Sequence, residues 1–561
     1  MRSDIPFAVA AAVALGLYLS LSRGVTFFHD EWSFLTHRDD WTLEILMAPH
    51  NEHWSLVLAA VYKALLSIFG LQTYVPYLFV LLLLHLSTAA GIYALLKANS
   101  GVVIAFLAGT LFLFLGTGHE NLFWAFQMGF VGAAAAGTWA MVLVLVHPTP
   151  WGLRGASLLL LIAVATVGIG LVFFLVAAAL LLLEPRRRVH AWVLAPAVIA
   201  YAAWYMSFGR TAASANRDPF TLEAIGQVQN YVVAGVSNAI GVISGFGPGF
   251  GLAAFVVLAA ATVWHLTGRS ALRTLAVAGL IGLVAQFALT GLVRAQFGEA
   301  QATSSRYIYV SAVFTLLLLA GLLGRRLVGS GMRGYAPVWF LWALAMFVNV
   351  PAVWMGSELF QAHGLRTRAA ISVILTHGGT PSMSASEGIF PIPGRDRLTE
   401  LFLKHGSPED DVLLSPEESP LPLLLDEFLF LQVADSLTVT EGELPRPPAA
   451  TEIVESADLV VTPIGDCVEL RAVGEDPRAI LEIPSGLAVG YESDVGDEVQ
   501  LFLALYDVHT EANSLRFTAK PRQPYRITTP AVGGEATWRV RIDPPTDSTS
   551  QVCRGGRNTV D

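Results

Sequence analysis

Charge is scarce in this chain of 561 residues. Only 14% of the residues are charged and 54% are hydrophobic, and the mean hydropathy is +0.57. Soluble domains carry about 25% charged residues, so the composition excludes an ordinary soluble protein and predicts a membrane protein. The formal net charge is −10. An acidic chain repels phosphate backbones, which argues against nucleic acid as a partner.

Long apolar segments follow one another up to about residue 355. A spanning helix needs about 20 apolar residues, and residues 5–22 are interpreted as a retained signal-anchor helix. Residues 157–184 contain Gly168-Ile169-Gly170 and are predicted to form two short helices that meet at a break. Residues 54–70 are shorter and predict a helix along the membrane surface. The predicted spans are 5–22, 75–96, 102–118, 127–147, 157–184, 189–207, 249–266, 274–293, 307–324 and 336–355.

Basic residues between the spans predict the orientation. Cytoplasmic loops carry an excess of Lys and Arg, and one arrangement puts the basic residues on one side. That arrangement has a cytoplasmic N-terminus, about eleven spans and an exported tail, in a bacterial inner membrane. In the alternative arrangement, residues 54–70 also span the membrane, and some of the basic residues then lie outside. The basic residues are Lys97, Arg154, Arg186, Arg187, Arg188, Arg269, Arg273, Arg325 and Arg326.

The tail differs in composition from the preceding sequence. Residues 357–449 are mixed, with prolines at 445, 447 and 448, and residues 450–561 alternate polar and apolar residues between Gly, Pro and Asp. This pattern is typical of a β-sandwich. The predicted organisation is a membrane body (1–356), a mixed region (357–449) and an exported β-rich domain (450–561). Cys467 and Cys553 are the only cysteines, and export predicts a disulfide between them. Two unpaired thiols are the alternative.

Polar groups of the membrane body concentrate in loops on the predicted outer side. Carboxylates are costly beside apolar segments and therefore point to function. The loop after the first span contains His29, Asp30 and Glu31. Further polar loop residues on the same side are His50, Glu52, His53, Trp54, His119, Glu120, Asn121, Arg294, Arg306 and Tyr307.

The first 150 residues resemble the GT-C glycosyltransferases, closest in kind to aminoarabinose transferases and protein O-mannosyltransferases. In that family an Asp-Glu pair follows the first span, and an interfacial helix rich in His, Pro and aromatic residues comes next. Asp30-Glu31 and His50-Asn51-Glu52-His53-Trp54 correspond here. The family commonly has proline before Asp-Glu, where this chain has His29. The rest of the chain is similar by architecture alone.

The resemblance implies a polyprenyl-phosphate sugar as donor and a glycan, lipid or protein as acceptor. It implies Asp30 as the base that takes the acceptor proton, with Glu31 orienting the acceptor or assisting. Arg306, with Arg294 as a second candidate, is predicted to bind the leaving phosphate. An interfacial arginine without a ligand is the alternative for Arg306. The remaining outer-loop residues above are predicted to bind substrate.

A metal site is the weaker interpretation of the histidines. His50 and His53 are three residues apart, so one helical face could present both, and some GT-C enzymes use a divalent cation such as Mg or Mn. The sequence has no His-Glu-x-x-His motif, so we predict no bound metal, with this pair as the alternative. Two other functions remain: a polysaccharide polymerase, ligase or flippase, and a non-catalytic membrane scaffold.

Overall fold

The computed structural model describes residues 4–38, 41–211, 221–265, 271–327, 331–377, 392–408, 438–442, 452–465, 467–484, 486–504, 514–529 and 537–554. They belong to two compact units. The helical unit comprises Met1–Phe27 and His37–Ala362, and the second unit comprises Phe28–Thr36 and His363–Asp561. The predicted proline-rich linker and Arg269 lie outside the described residues.

Most helices belong to the helical unit. The last one there, α16, continues past residue 362 into the second unit, so the predicted boundary at 356 lies inside a helix. The helices are α1 (Ile5–Leu21), α2 (Asp30–His37), α3 (Leu43–Met47), α4 (Leu56–Phe69), α5 (Val75–Ser100), α6 (Val102–Leu113), α7 (Glu120–Phe123), α8 (Met128–Leu145), α9 (Pro150–Val164), α10 (Gly170–Leu182), α11 (Ala195–Ser207), α12 (Leu222–Ser244), α13 (Pro248–His265), α14 (Ala271–Arg294), α15 (Ser305–Leu327), α16 (Gly331–His377) and α17 (Arg395–His405).

The length and composition of these helices make the chain a multi-pass membrane protein. Among the described residues, six helices are long and apolar enough to span a bilayer, or up to seven if the bent pair α12 and α13 is one span. Five further apolar helices have only 10–17 residues. The predicted number of about eleven spans exceeds six or seven and depends on counting these shorter helices.

One predicted span has a different form in the structure, and another divides as predicted. The segment 249–266 is the second arm of a pair whose axes meet at 103°, and its first arm is Leu222–Ser244. That first arm was missed because Glu223, Gln227 and Asn230 lower its hydropathy. The segment 157–184 divides as predicted: α9 ends at Val164 and α10 begins at Gly170.

Close contact between α14 and α15 brings their adjoining ends together. A Cβ at Gly279 would lie 2.5 Å from the Leu318 nitrogen, and one at Gly321 would lie 2.4 Å from the Ala276 nitrogen. Small residues at such positions let two backbones approach in a membrane protein. The antiparallel pair therefore places Arg294, at the end of α14, near the start of α15.

All described strands belong to the second unit. One sheet has the order β1-β9-β6-β11-β4-β3 and the other β2-β5-β10-β7-β8. Every strand pair is antiparallel. The strands are β1 (Thr438–Glu441), β2 (Glu452–Ala457), β3 (Leu459–Ile464), β4 (Cys467–Ala472), β5 (Arg478–Pro484), β6 (Ala488–Ser493), β7 (Glu498–Ala504), β8 (Ser514–Thr518), β9 (Tyr525–Thr528), β10 (Thr537–Asp543) and β11 (Thr549–Arg554).

The β-rich prediction and the disulfide are confirmed. Apolar side chains along β10, such as Trp538, Val540 and Ile542, are buried, as the alternating pattern requires. Cys467 and Cys553 are direct partners in the register of β4 and β11, and they form a disulfide. This covalent bond joins β11 to its neighbour β4 within the same sheet.

Candidate functional site

A tight turn at residues 50–53 presents the first group of candidate residues. The His50 N–H donates to the His53 carbonyl at 3.1 Å, and the His53 N–H donates to the His50 carbonyl at 3.0 Å. Asn51 has a φ of +50°, which Asn tolerates better than most residues. His50 and His53 are therefore opposite each other across a turn, and the predicted shared helical face is wrong. The His50 ring contacts Phe126 edge-on, with centroids 5.3 Å apart.

Glu52, in this turn, pairs with Arg294 at the end of α14. The distance between Oε1 and the guanidinium nitrogen is 2.9 Å, and both side chains are less than one-third exposed. The His53 Nε2 lies 3.4 Å from the same carboxylate. Burial alone would raise the pKa of Glu52, but the charges of His53 and Arg294 lower it below its ordinary value. Burial lowers the pKa of His53, although Glu52 opposes this effect.

The His53 ring also contacts the break between α9 and α10. A Cβ at Gly168 would lie 2.6 Å from the His53 Nδ1, so only glycine fits there without a shift. The Val57 N–H donates to the Ala165 carbonyl at 3.1 Å. The break thus anchors both the turn and the start of α4.

A second carboxylate and arginine pair forms between α7 and the start of α15. Glu120 Oε2 lies 3.5 Å from Arg306 Nε. The backbone fixes this pair at two points: the Glu120 N–H donates to Ser305 Oγ at 3.0 Å, and Asn121 Nδ2 donates to the Arg306 carbonyl at 3.1 Å. His119, beside Glu120, has a pKa that burial lowers from its ordinary value.

Tyr307 connects the two arginines. Arg306 Cζ lies 5.7 Å from the centroid of the Tyr307 ring, and Arg294 is within electrostatic range of the Tyr307 and Tyr231 hydroxyls. The structure therefore brings Glu52, Arg294, Arg306 and Glu120 to one end of the helical unit. We call these four residues the Glu–Arg cluster.

Three buried side-chain atoms in the segments that follow Glu52 and Glu120 have no hydrogen-bond partner. These atoms are Asn121 Oδ1, Gln127 Oε1 and Trp54 Nε1, and their side chains are 0%, 2% and 5% exposed. Such atoms carry a cost of about 1–3 kcal/mol each unless something pairs with them. Gln127, like Ser305 and Tyr231, was missed by the sequence analysis, because a single polar residue beside an apolar helix has no distinctive pattern.

Trp54, which was predicted to bind substrate, and Trp124 are buried. Trp54 is 5% exposed and its ring stacks on Trp204, with centroids 5.6 Å apart. Trp124 is 4% exposed and stacks on Phe126 at 5.7 Å. These rings contribute to packing at the base of the loops.

The acidic motif after α1 belongs to the second unit. His29 Nδ1 lies 3.0 Å from Asp30 Oδ1, and the Asp30 side chain is 29% exposed. Glu31 is fully buried, and its Oε2 accepts a hydrogen bond from the Phe28 N–H at 2.8 Å. The Phe28 ring also stacks on His363 at 4.5 Å. Asp30 is thus the more exposed carboxylate, while Glu31 stabilises the first turn of α2.

A metal site finds no support in the donor set. The described residues contain no group of three or more His, Cys, Asp or Glu side chains placed to hold an ion. His50 and His53 meet through backbone atoms across their turn. The described residues thus place no ligand set for a divalent cation, and metal dependence stays a prediction from the resemblance.

Comparisons with known proteins find similar solved structures but no sequence relative. No family model matches the chain, and no curated protein matches it. The Archaeoglobus fulgidus oligosaccharyltransferase is 13% identical with a TM-score of 0.35, covering 65% of this chain and 55% of its own. Arabinosyltransferase EmbB from Mycobacterium smegmatis is 10% identical with a TM-score of 0.35, covering 98% of this chain and 64% of its own. The chain thus spans less than two thirds of either structure, and a TM-score of 0.35 does not establish a shared fold.

Proposed function

We propose that the protein is a membrane glycosyltransferase that takes a sugar from a polyprenyl phosphate and passes it to an extracytoplasmic glycan, lipid or protein. The observation that carries this proposal is the Glu–Arg cluster at one end of an apolar helical unit. Arginine binds phosphate oxygens through two parallel hydrogen bonds. Two arginines held by carboxylates at the end of membrane helices suit a charged headgroup on a lipid.

An apolar groove beside the cluster supports a lipid-linked donor. The groove has a volume of about 280 Å³ and lies among α4, α5, α8 and α9. Its lining includes Val57, four residues after His53, and Thr166, at the break that contacts His53. An isoprenoid chain in this groove would bury apolar surface while its phosphate lay near Arg294.

The distribution of basic residues supports an outer-face site. Lys97, at the far end of α5, pairs with Asp4, whereas the start of α5 lies at the cluster end, where the Tyr74 hydroxyl accepts the Ala125 N–H. Arg154 lies near the start of α9, and the other end of α9 leads to the break near His53. Basic residues mark the cytoplasmic side, so the cluster faces outward in this proposal.

The proposed reaction is a single displacement. The acceptor hydroxyl oxygen bonds to the anomeric carbon, and the bond from that carbon to the phosphate oxygen breaks with its electron pair remaining on the phosphate. Asp30 takes the hydroxyl proton as general base, a role that rests on its chemistry and on the resemblance. Arg306 and Arg294 stabilise the charge on the leaving phosphate. One displacement inverts the anomeric configuration.

A transfer assay tests the proposal. Purified protein in lipid nanodiscs is incubated with radiolabelled hexosyl and pentosyl polyprenyl phosphates and cell-envelope acceptors. The expected result is labelled product together with free polyprenyl phosphate for one donor class. Arg306→Ala should weaken donor binding by about 10- to 100-fold, since a charged hydrogen bond contributes about 1.5–3 kcal/mol. Arg154→Ala, at the other end of α9, is the control. Absence of transfer and of donor binding across the panel would contradict the proposal.

A further inference from the structure

Helix α6 is too short to cross a bilayer by itself. Its 12 residues, Val102–Leu113, measure about 18 Å at 1.5 Å per residue, which is shorter than the hydrocarbon core of about 30 Å. The last carbonyls of a helix have no partner within it. Lipid offers no replacement, so other groups of the protein must supply the donors.

The Leu113 carbonyl, the last of α6, receives two side-chain donors. The Tyr18 hydroxyl donates to it at 2.6 Å, and the His85 Nε2 lies 3.2 Å from it. A carbonyl oxygen has two acceptor positions, so both are used. Tyr18 belongs to α1 and His85 to α5, and both side chains are 0% exposed.

The second nitrogen of His85 reaches α15. His85 Nδ1 lies 3.0 Å from the Tyr309 hydroxyl. Because a carbonyl can only accept, the His85 Nε2 carries the proton, and in the neutral ring Nδ1 accepts from Tyr309. The imidazole thus links the end of α6 to α15 and fixes its own tautomer. We call Tyr18, His85, the Leu113 carbonyl and Tyr309 the His85 network.

The His85 network lies directly beneath one pair of the Glu–Arg cluster. Tyr309 is three residues after Arg306, one helical turn away on the same side of α15. After α6 ends at Leu113, the chain passes through the 3₁₀ helix Gly116–Gly118 and reaches Glu120, the first residue of α7. The network therefore joins α15, which carries Arg306, to the end of α6, seven residues before Glu120.

We infer that His85 is a positioning residue that sets the placement of Glu120 against Arg306 from within the membrane layer. The importance of the Glu120–Arg306 pair for catalysis rests on the proposed function. The placement of the pair by His85 is a matter of geometry and holds whatever the reaction is. Loss of the imidazole leaves the Leu113 carbonyl one donor short and removes the hydrogen bond between His85 Nδ1 and the Tyr309 hydroxyl. Relief of these buried groups requires the end of α6 to shift relative to α15.

Cysteine crosslinking tests this inference without substrate. The structure shows no free cysteine among its described residues, since Cys467 and Cys553 are bonded to each other. Thiols introduced by Glu120→Cys with Arg306→Cys can therefore be joined by a short bifunctional reagent, and the crosslinking rate reports their placement. His85→Leu should lower the rate about tenfold or more, because two buried hydrogen bonds are lost.

Two further variants separate positioning from misfolding. His85→Gln offers an amide N–H to Leu113 and an amide oxygen to Tyr309, so the rate should return to within about twofold of the original. Tyr309→Phe removes one hydrogen bond and should give an intermediate rate. Equal rates in His85→Leu and the parent, or no recovery in His85→Gln, would overturn the inference. A negative transfer assay would instead contradict the proposed function and leave the crosslinking result intact.

Discussion

Glu52→Gln is the variant that probes the Glu–Arg cluster most quantitatively. Glutamine keeps the shape of the side chain and removes its charge. Arg294, whose side chain is 28% exposed, then loses the carboxylate oxygen 2.9 Å away. A half-buried guanidinium without an anion is unfavourable because burial removes part of its hydration.

The magnitude follows from distance and exposure. Opposite unit charges about 4 Å apart attract by about 4 kcal/mol at an effective dielectric constant near 20. Desolvation of two partly buried groups opposes this attraction, and hydrogen bonds to charged groups contribute about 1.5–3 kcal/mol net. We therefore expect a coupling free energy of about 1–3 kcal/mol between Glu52 and Arg294.

A double-mutant cycle measures this coupling. Glu52→Gln, Arg294→Gln and the double variant are unfolded by SDS titration from mixed micelles, and the non-additive part of the free energy is the coupling. The control cycle is Asp4 with Lys97, a pair of more exposed side chains, which should couple more weakly. A Glu52–Arg294 coupling no larger than that of the control would refute the argument that the turn is held by this ion pair.

Three further predictions concern the disulfide, pH and topology. Replacing Cys467 and Cys553 with Ser should destabilise the β-rich unit by about 4–5 kcal/mol, because the disulfide closes a loop with a sequence separation of 86 and so limits the entropy of the unfolded chain. The melting temperature should fall, and an unchanged melting temperature would contradict this prediction. Because burial lowers the pKa of His53 from its ordinary value of 6.5, the stabilising contribution of His53 is present above pH 6.5 and is lost as the pH falls below that value. The His53→Gln variant should therefore lose less stability than the parent protein between pH 7.5 and 5.5, and an equal loss in both proteins would contradict this role of His53. A membrane-impermeant thiol reagent applied to intact cells should label Thr440→Cys and spare Arg154→Cys, and the reverse would invert the assigned orientation.

Composition and periodicity were enough to predict a helical membrane body and a β-rich domain. Apolar length predicts α5 and α15, and alternation predicts β5 and β10, because burial imposes these patterns directly on the sequence. The break at Gly168 was also predictable, because two glycines within three residues interrupt a long apolar segment. By contrast, α12 is amphipathic, and its polar residues lower the average hydropathy on which the prediction of spans depends.

The pairings within the candidate site could not be read from the sequence. Glu52 and Arg294 are 242 residues apart, and only the packing of α14 brings them together. The turn at Asn51 depends on one positive φ, which no apolar pattern encodes, so a helical spacing was wrongly assigned to His50 and His53. The roles of the site residues in substrate binding remain predictions, as does Asp30 as the base.

The turnover of Asp30→Asn is the most direct test of the proposed transfer. Asparagine keeps the size of the side chain and cannot take the acceptor proton, so the transfer rate should fall by about 10²–10⁴-fold while donor binding stays near that of the parent protein. Glu31→Gln is the comparison, because Glu31 is buried against the Phe28 N–H and is expected to affect stability first. A purified Asp30→Asn protein that transfers sugar at the rate of the parent would contradict the proposed mechanism.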